Sequence, residues 1–318
     1  YYPKYNPFAG LCSPNDRNNA FILVSKVKMF GGFIGGETLS SQADPVSNLT
    51  ILSGDIGVTF TTTDNCYHVV IGAGALSTAS LNGFTIKSGN ANAATTITVN
   101  SRNIVASCGG GIHLVAASPA ITNCIINSNN AIINGGGMYD SLAAAPAISN
   151  CTFSFNSSSK DAGGMYNYTS SPTITNCIFT NNYAGSSGGM KNDSTASPSI
   201  TNCSFLNNTA SSSGGGLSNG NASTPTITNC IFQNNSAATS GGGGMSNSNC
   251  SPVITGCTFS GNSTNSFGGG MNNFTASPTI TNCTFSGNKS TSLGGGLYNN
   301  TTSSAIISRC YFTGNTAT

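Results

Sequence analysis

The sequence predicts an all-β fold, a right-handed parallel β-helix: a solenoid with three short strands per coil and about 26–27 residues per coil. Three observations predict it. A cysteine returns every 26 or 27 residues, at Cys124, Cys151, Cys177, Cys203, Cys230, Cys257, Cys283 and Cys310. Each stands at one place in a repeated phrase, of which Ser-Pro-Thr-Ile-Thr-Asn-Cys-Ile-Phe at 171–179 is typical. Within the phrase no helical period appears, and apolar residues pair at spacing two, which suits short strands with one buried face.

The elements of one coil follow in order. Cys177 and Phe179 share a face, whereas Ile174 has the opposite parity, so the chain must bend at Thr175-Asn176. The residue before the cysteine is Asn at 123, 150, 176, 202, 229 and 282, and Gly at 256. Asn and Gly enter the left-handed backbone region most cheaply, so the shared requirement at Asn123, Asn150, Asn176, Asn202, Asn229 and Asn282 is conformational. Arg309 breaks the rule and suggests an end or a distortion. A second Asn follows the Phe position by three residues, at 129, 156, 182, 208, 235, 262, 288 and 315. Stacked coils would place these amides in a column, each donating to the next. The third strand opens on glycines and continues with Ile112, Met138, Met165, Met190, Leu217, Met245, Met271 or Leu297, pointing inward. The residue after it varies (His113, Tyr139, Tyr166, Lys191, Ser218, Ser246, Asn272, Tyr298), as expected of an outward position.

The regular repeats span 108–318. Residues 21–107 read as irregular coils, with Leu81-Asn82-Gly83-Phe84-Thr85-Ile86 following the same scheme. Residues 1–20, with Tyr1, Tyr2, Tyr5 and Phe8, read as a cap over the first coil. Dividing length by period gives about twelve coils and a rod of roughly 55 Å. The last coil shows no cap, so its edge invites self-association through coil ends, or more chain.

Composition excludes several classes. Charged residues make up only 6%, and the net charge is +2, so neither nucleic acid nor an acidic membrane surface is expected as partner. No apolar run is long enough to span a bilayer. Disorder, the plain reading of a Gly/Ser/Asn-rich chain, does not explain Ile, Cys, Phe and Met held at constant phase. The eight cysteines in register should form a column of buried thiols, because equivalent side chains about 4.8 Å apart and parallel do not meet disulfide geometry. Cys12 with Cys66 is the one disulfide candidate. With no Cys-x-x-Cys and only two histidines, no metal or cofactor set emerges.

Phe-x-x-Asn recurs as Phe179–Asn182, Phe259–Asn262 and Phe285–Asn288, with Gly-Gly-Gly-Met/Leu between copies. Together these resemble the repeats of chlamydial polymorphic outer-membrane proteins, and more closely the right-handed β-helix surface proteins of Bacteroidetes-type bacteria. Val27–Glu37 is similar to the entry segment of the second group, and the resemblance covers about residues 22–318. It implies export, an extracellular or bacterial cell-surface location, and adhesive or structural duty. Asp140-Ser141-Leu142 and Asp193-Ser194-Thr195 resemble the short O-glycosylation sites of such proteins, with Ser141 and Ser194 as acceptors.

Four functional classes compete. A structural role comes first: a rigid adhesin stalk or a self-associating filament subunit. A carbohydrate-binding module is the alternative, with Tyr139, Tyr166 and Tyr298 facing outward as stacking surfaces for surface glycans. A polysaccharide lyase or hydrolase would need paired carboxylates or an acidic calcium site. The chain has only eight acids, and Asp140 and Asp161, which could meet across a coil, repeat on no strand phase, so no catalytic residue is assigned. Thr-x-Thr pairs such as Thr226/Thr228 resemble ice-binding grids, but Thr also favours strands on its own account.

Overall fold

The computed structural model describes residues 1–7, 11–12 and 15–318, with the side chains of 11–12 outside that description. The chain winds into stacked coils whose strands pair in parallel with their equivalents one coil away. Three ten-stranded sheets run the length of the stack. The glycine sheet runs from Phe21–Ile22 to Leu297–Asn299, the isoleucine sheet from Lys28–Phe30 to Ile306–Ser308, and the phenylalanine sheet from Thr50–Ser53 to Tyr311–Thr313. The register is in phase: Met165 pairs with Met190, Ile174 with Ile200, and Phe179 with Phe205.

Two expectations change. A fourth, nine-stranded wall of mostly two-residue strands, such as Thr209–Ala210, follows the Asn column. It exists because the chain takes a second left-handed turn one residue before that Asn, at Asn181 (φ 54°), Asn207 (φ 54°), Asn234 (φ 54°) and Gly261 (φ 62°). Among the described residues each long sheet has ten strands, one per coil, where length and period predict about twelve coils. The first two are long, running from Phe21 to Val70 and from Val70 to Ile112. The surplus forms surface loops and an antiparallel hairpin, Thr96–Val99 with Arg102–Val105. Ile97, Val99 and Ile104 of that hairpin pack with Ile71, Ala73 and Val115 of the glycine sheet, covering its outer face there.

The bend before the cysteine is left-handed as expected, with φ of 53° at Asn176 and 54° at Asn202. Arg309 keeps φ at 53°, so the last coil bends like the others, and stacking imposes this conformation on a residue that does not favour it. These bend residues are exposed. Among them an amide contact links Asn176 to Asn150 at 3.4 Å, whereas the continuous ladder is the buried one. There Asn182 Nδ2 donates to Asn208 Oδ1 (2.9 Å) and Asn208 Nδ2 to Asn235 Oδ1 (3.0 Å), the pattern running from Asn129 to Asn315. Each amide also donates to a carbonyl one coil back, that of Ile86 for Asn129, Ile126 for Asn156 and a Phe from Asn182 onward, and from Asn156 on each accepts the backbone N–H of the preceding Asn, as with Asn208 to Phe179 O (2.8 Å) and Asn182 N to Asn208 Oδ1 (3.0 Å).

The lumen is filled by columns. Phe153, Phe179, Phe205, Phe232, Phe259, Phe285 and Phe312 stack with centroids 4.7–4.9 Å apart and planes within 7°. From Cys124 to Cys283 the thiol column is buried, and every described cysteine is a free thiol. Cys177 Sγ donates to Thr175 O (3.3 Å), while Cys203 Sγ accepts the Cys177 N–H (3.4 Å). Cys66 is likewise a buried free thiol, and the side chain of its candidate partner Cys12 lies outside the described residues. At the start of the stack Tyr1 lies along the Thr50–Ser53 edge: its ammonium donates to Ile51 O (2.6 Å) and its carbonyl accepts the Ser53 N–H (2.9 Å). Among the described residues no helix is long and apolar enough to cross a membrane.

Candidate functional site: a groove on the glycine sheet

The outward positions of the glycine sheet form a file of changing chemistry. His68 meets His113 edge-on at 4.9 Å, and His113 meets Tyr139 at 5.0 Å. Tyr139 stacks on Tyr166 at 5.7 Å. Lys191 follows, its Nζ 5.6 Å from the Tyr166 ring centre. Ser218, Ser246, Asn272 and Tyr298 complete the file.

Most of this file is covered. A turn leading into a glycine strand, its own for His113 and Ser218 and that of the preceding coil for Asn272, folds over the outward residue and accepts a hydrogen bond from it. His113 Nδ1 lies 3.1 Å from Cys108 O, Ser218 Oγ donates to Ser213 O (3.4 Å), and Asn272 Nδ2 donates to Ser240 O (3.1 Å). Glycine makes this close approach: Gly214 has φ of 64°, and a Cβ there would fall 2.0 Å from Ser218 Oγ. The variable position is thus outward in direction yet largely shielded, a feature the sequence alone did not disclose.

The predicted tyrosines therefore do not form one track. Tyr166 is buried and Tyr139 half-buried, at the far side of the charged cluster from Tyr298. Burial raises the phenol pKa values of both Tyr139 and Tyr166, and the carboxylate of Asp193 adds to the shift at Tyr166. The two histidines are held neutral by burial, His68 with its pKa lowered to about 4. Of the proposed sugar acceptors, Ser141 is buried, with its hydroxyl donating to Leu114 O (3.4 Å). Ser194 sits half-buried in a turn with φ of 53°.

The acidic residues also fall differently from expectation. Asp140 does lie on a strand phase, paired in register with Asn167 on the inward face, while Asp161 lies at a register shift in the fourth wall. Asp161 does not meet Asp140 but binds Lys191 Nζ at 2.9 Å, and Asp193 lies 3.7 Å from the same nitrogen. Asp193 is further held by Tyr166 Oη (3.0 Å), Asn221 Nδ2 (2.5 Å) and the Ser194 N–H (2.8 Å). This cluster is saturated: each carboxylate has a cation, and the acceptors of Asp193 are taken up by donors. No group of three metal-ligating side chains occurs among the described residues.

Past Lys191 the sheet opens into a groove. Its first section, about 190 Å³, is walled by Ser213, Ser218, Ser246 and Ser248 with Lys191 and Asp193 at its head. Its second, about 430 Å³, shares Ser213, Ser246 and Ser248 and ends on Phe267, Phe274 and Tyr298. Phe267 and Tyr298 stack at 4.8 Å, and Phe274 is more than half exposed. The groove thus offers hydroxyls and amides along its floor and aromatic faces at one end. A larger cleft of about 510 Å³ lies by the fourth wall, where Asn130 Nδ2 donates to Asn90 Oδ1 (2.9 Å) and the amides engage one another.

Residues 82–247 and 189–318 match the family model of the right-handed β-helix region, overlapping matches that together span most of the chain. The chain belongs to the right-handed β-helix family. That family's fold is shared by lyases, hydrolases and proteins with no catalysis, so membership leaves the chemistry to the groove. No match was found among curated proteins or among solved structures.

Proposed function

We propose that this β-helix is a rigid, non-catalytic rod of the cell surface or extracellular space, serving as a stalk that holds a neutral glycan in the groove of its glycine sheet. One observation carries the structural part: the buried Asn ladder runs unbroken from Asn129 to Asn315 beside the Cys column and, from Phe153 onward, the Phe column, so side-chain regularity is concentrated on stiffness along the axis. Ten coils at about 4.8 Å give a stack of roughly 45 Å. The repeat's resemblance to chlamydial and Bacteroidetes-type surface proteins supports the location.

The glycan part is favoured by the Phe267–Tyr298 pair beside a hydroxyl-lined floor, since aromatic faces take the apolar side of a sugar and Ser and Asn take its hydroxyls. The saturated Asp161–Lys191–Asp193 cluster argues against general acid–base work. An array of neutral oligosaccharides tests the reading. Binding that falls about tenfold or more in Phe267→Ala/Tyr298→Ala is expected. Absence of binding, or binding unchanged in that variant, removes the glycan part, and cleavage of a bound chain removes the non-catalytic part.

A further inference from the structure

A second, inner file of amides stands two residues after the inward Met or Leu of the glycine strand. Asn167 Nδ2 donates to Asn192 Oδ1 (2.8 Å), Asn192 to Asn219 (2.8 Å), Asn219 to Asn247 (2.9 Å), Asn247 to Asn273 (2.8 Å) and Asn273 to Asn299 (2.7 Å). Every link runs from one coil to the next, so the oxygen of the first member, Asn167, needs a donor from the coil before it. The residue in register there is Asp140, and the one before that is Leu114. Asp140 is fully buried, and both of its oxygens and Asn167 Oδ1 have no hydrogen-bond partner. An ionised carboxylate would put acceptors against an acceptor in a lumen that offers no counter-charge.

We propose that Asp140 is held as the neutral carboxylic acid and that its proton, donated to Asn167 Oδ1, starts the inner asparagine ladder. One proton satisfies Asn167 Oδ1 and one oxygen of Asp140 together, and it removes the cost of a buried unpaired charge. The surroundings agree. The ionisable groups facing the lumen in the adjoining coils are the thiols of Cys124, Cys151 and Cys177, none of them a cation. On the outer face of the same sheet stand His113, Tyr139, Tyr166 and the Lys191 ion pair, separated from Asp140 by the backbone. Burial alone drives the Asp140 carboxyl well above its usual range.

The rival arrangement is a reversed ladder, in which Asn167 donates to an ionised Asp140 and every amide of the file is turned over. The outer ladder cannot reverse, because its amides are tied to backbone groups, as Asn208 is to Phe179 O. The inner ladder has no such tie, and its far end, Asn299, is exposed to solvent, which serves either direction. What separates the two is the charge: a single amide donor is poor compensation for a carboxylate with no exposure to water.

The fold then carries an alkali-sensitive joint. The folded carboxyl keeps its proton where the unfolded one loses it, so this contribution is complete below about pH 4 and fades as pH rises toward the folded-state value. In that window the folding equilibrium constant falls roughly tenfold per pH unit on this group's account. Asp140→Asn supplies an N–H of the same size in the same place. The expected result is a protein whose denaturation midpoint exceeds the wild type's, with the difference widening from about pH 5 to pH 8. Taking the difference between the two profiles cancels the histidines and thiols. Infrared spectra of the wild type provide a second measure that needs no variant: a protonated-acid carbonyl band at neutral pH, absent in Asp140→Asn. Asp140→Leu, which also removes the carboxyl but leaves Asn167 Oδ1 unmet, should show the same widening against wild type and lie below Asp140→Asn by an amount that does not change with pH. A carboxylate band assigned to Asp140 at neutral pH, or a wild-type minus Asp140→Asn difference that stays flat with pH, overturns the proposal in favour of the reversed ladder.

Discussion

Asn208→Ala tests the outer ladder at its middle. The side chain makes four bonds: to Asn235 Oδ1 (3.0 Å) and Phe179 O (2.8 Å) as donor, and from the Asn182 N–H (3.0 Å) and Asn182 Nδ2 (2.9 Å) as acceptor. Alanine leaves the Asn182 N–H without its acceptor, whereas Asn182 Nδ2 keeps Phe153 O and Asn235 Oδ1 keeps the Asn208 N–H. One stranded buried donor costs about 1–3 kcal/mol and each of the other three lost bonds about 1 kcal/mol, so the loss should reach about 4–6 kcal/mol. The neighbouring Asn207 is the control: it is exposed, at φ 54°, and Asn207→Ala should cost only about 1 kcal/mol for the left-handed turn. Urea denaturation gives the two values, and hydrogen exchange should place the loosening in the coils carrying Asn182 and Asn235. Should Asn208→Ala lie within about 1 kcal/mol of Asn207→Ala, the ladder is not what holds the coils together.

Three further outcomes are expected. Under native conditions a thiol reagent should label Cys310, which is half-buried, well before Cys151 through Cys283; rapid labelling of the column would contradict its burial. His68 has a folded pKa lowered to about 4, so its contribution is complete above about pH 6.5 and is lost as pH falls toward 4; the loss is about 3 kcal/mol, and His68→Phe should flatten that acid limb of the stability profile. Lys191→Met leaves Asp161 and Asp193 without their shared cation and should destabilise by about 1–3 kcal/mol, whereas Lys191→Arg should restore most of it; equal stability of all three proteins would refute the cluster's structural role.

The features legible in the sequence were those repeated at fixed phase. Ile174, Cys177 and Phe179 recur because each stacks on its own kind, and Asn182 recurs because a ladder needs every rung. The inner ladder is present in the sequence as well, as an Asn two places after the inward Met or Leu at 167, 192, 219, 247, 273 and 299, but the earlier coils carry Asp140 and Leu114 at that phase, so the file lacks the full repeat of the outer one. The groove was not legible. Phe267 lies in a turn of irregular length and meets Tyr298 from the next coil, a contact that no periodic pattern encodes.

The amino-acid sequence by itself determined the coil: its period, its left-handed bends, and the identity of each interior column, because a translationally repeated structure asks the same question of every copy and the answers accumulate. The tertiary structure decided what happens once per molecule. It set the number of coils, through the long loops and the hairpin of the first two turns. It turned the variable outward file into a shielded one by folding the glycine turns back over it. It also set Asp140 at the head of an amide file, where a residue ordinary in sequence becomes an acid sealed from water by its neighbours. Such features depend on which coil lies next to which, and that adjacency exists only after stacking.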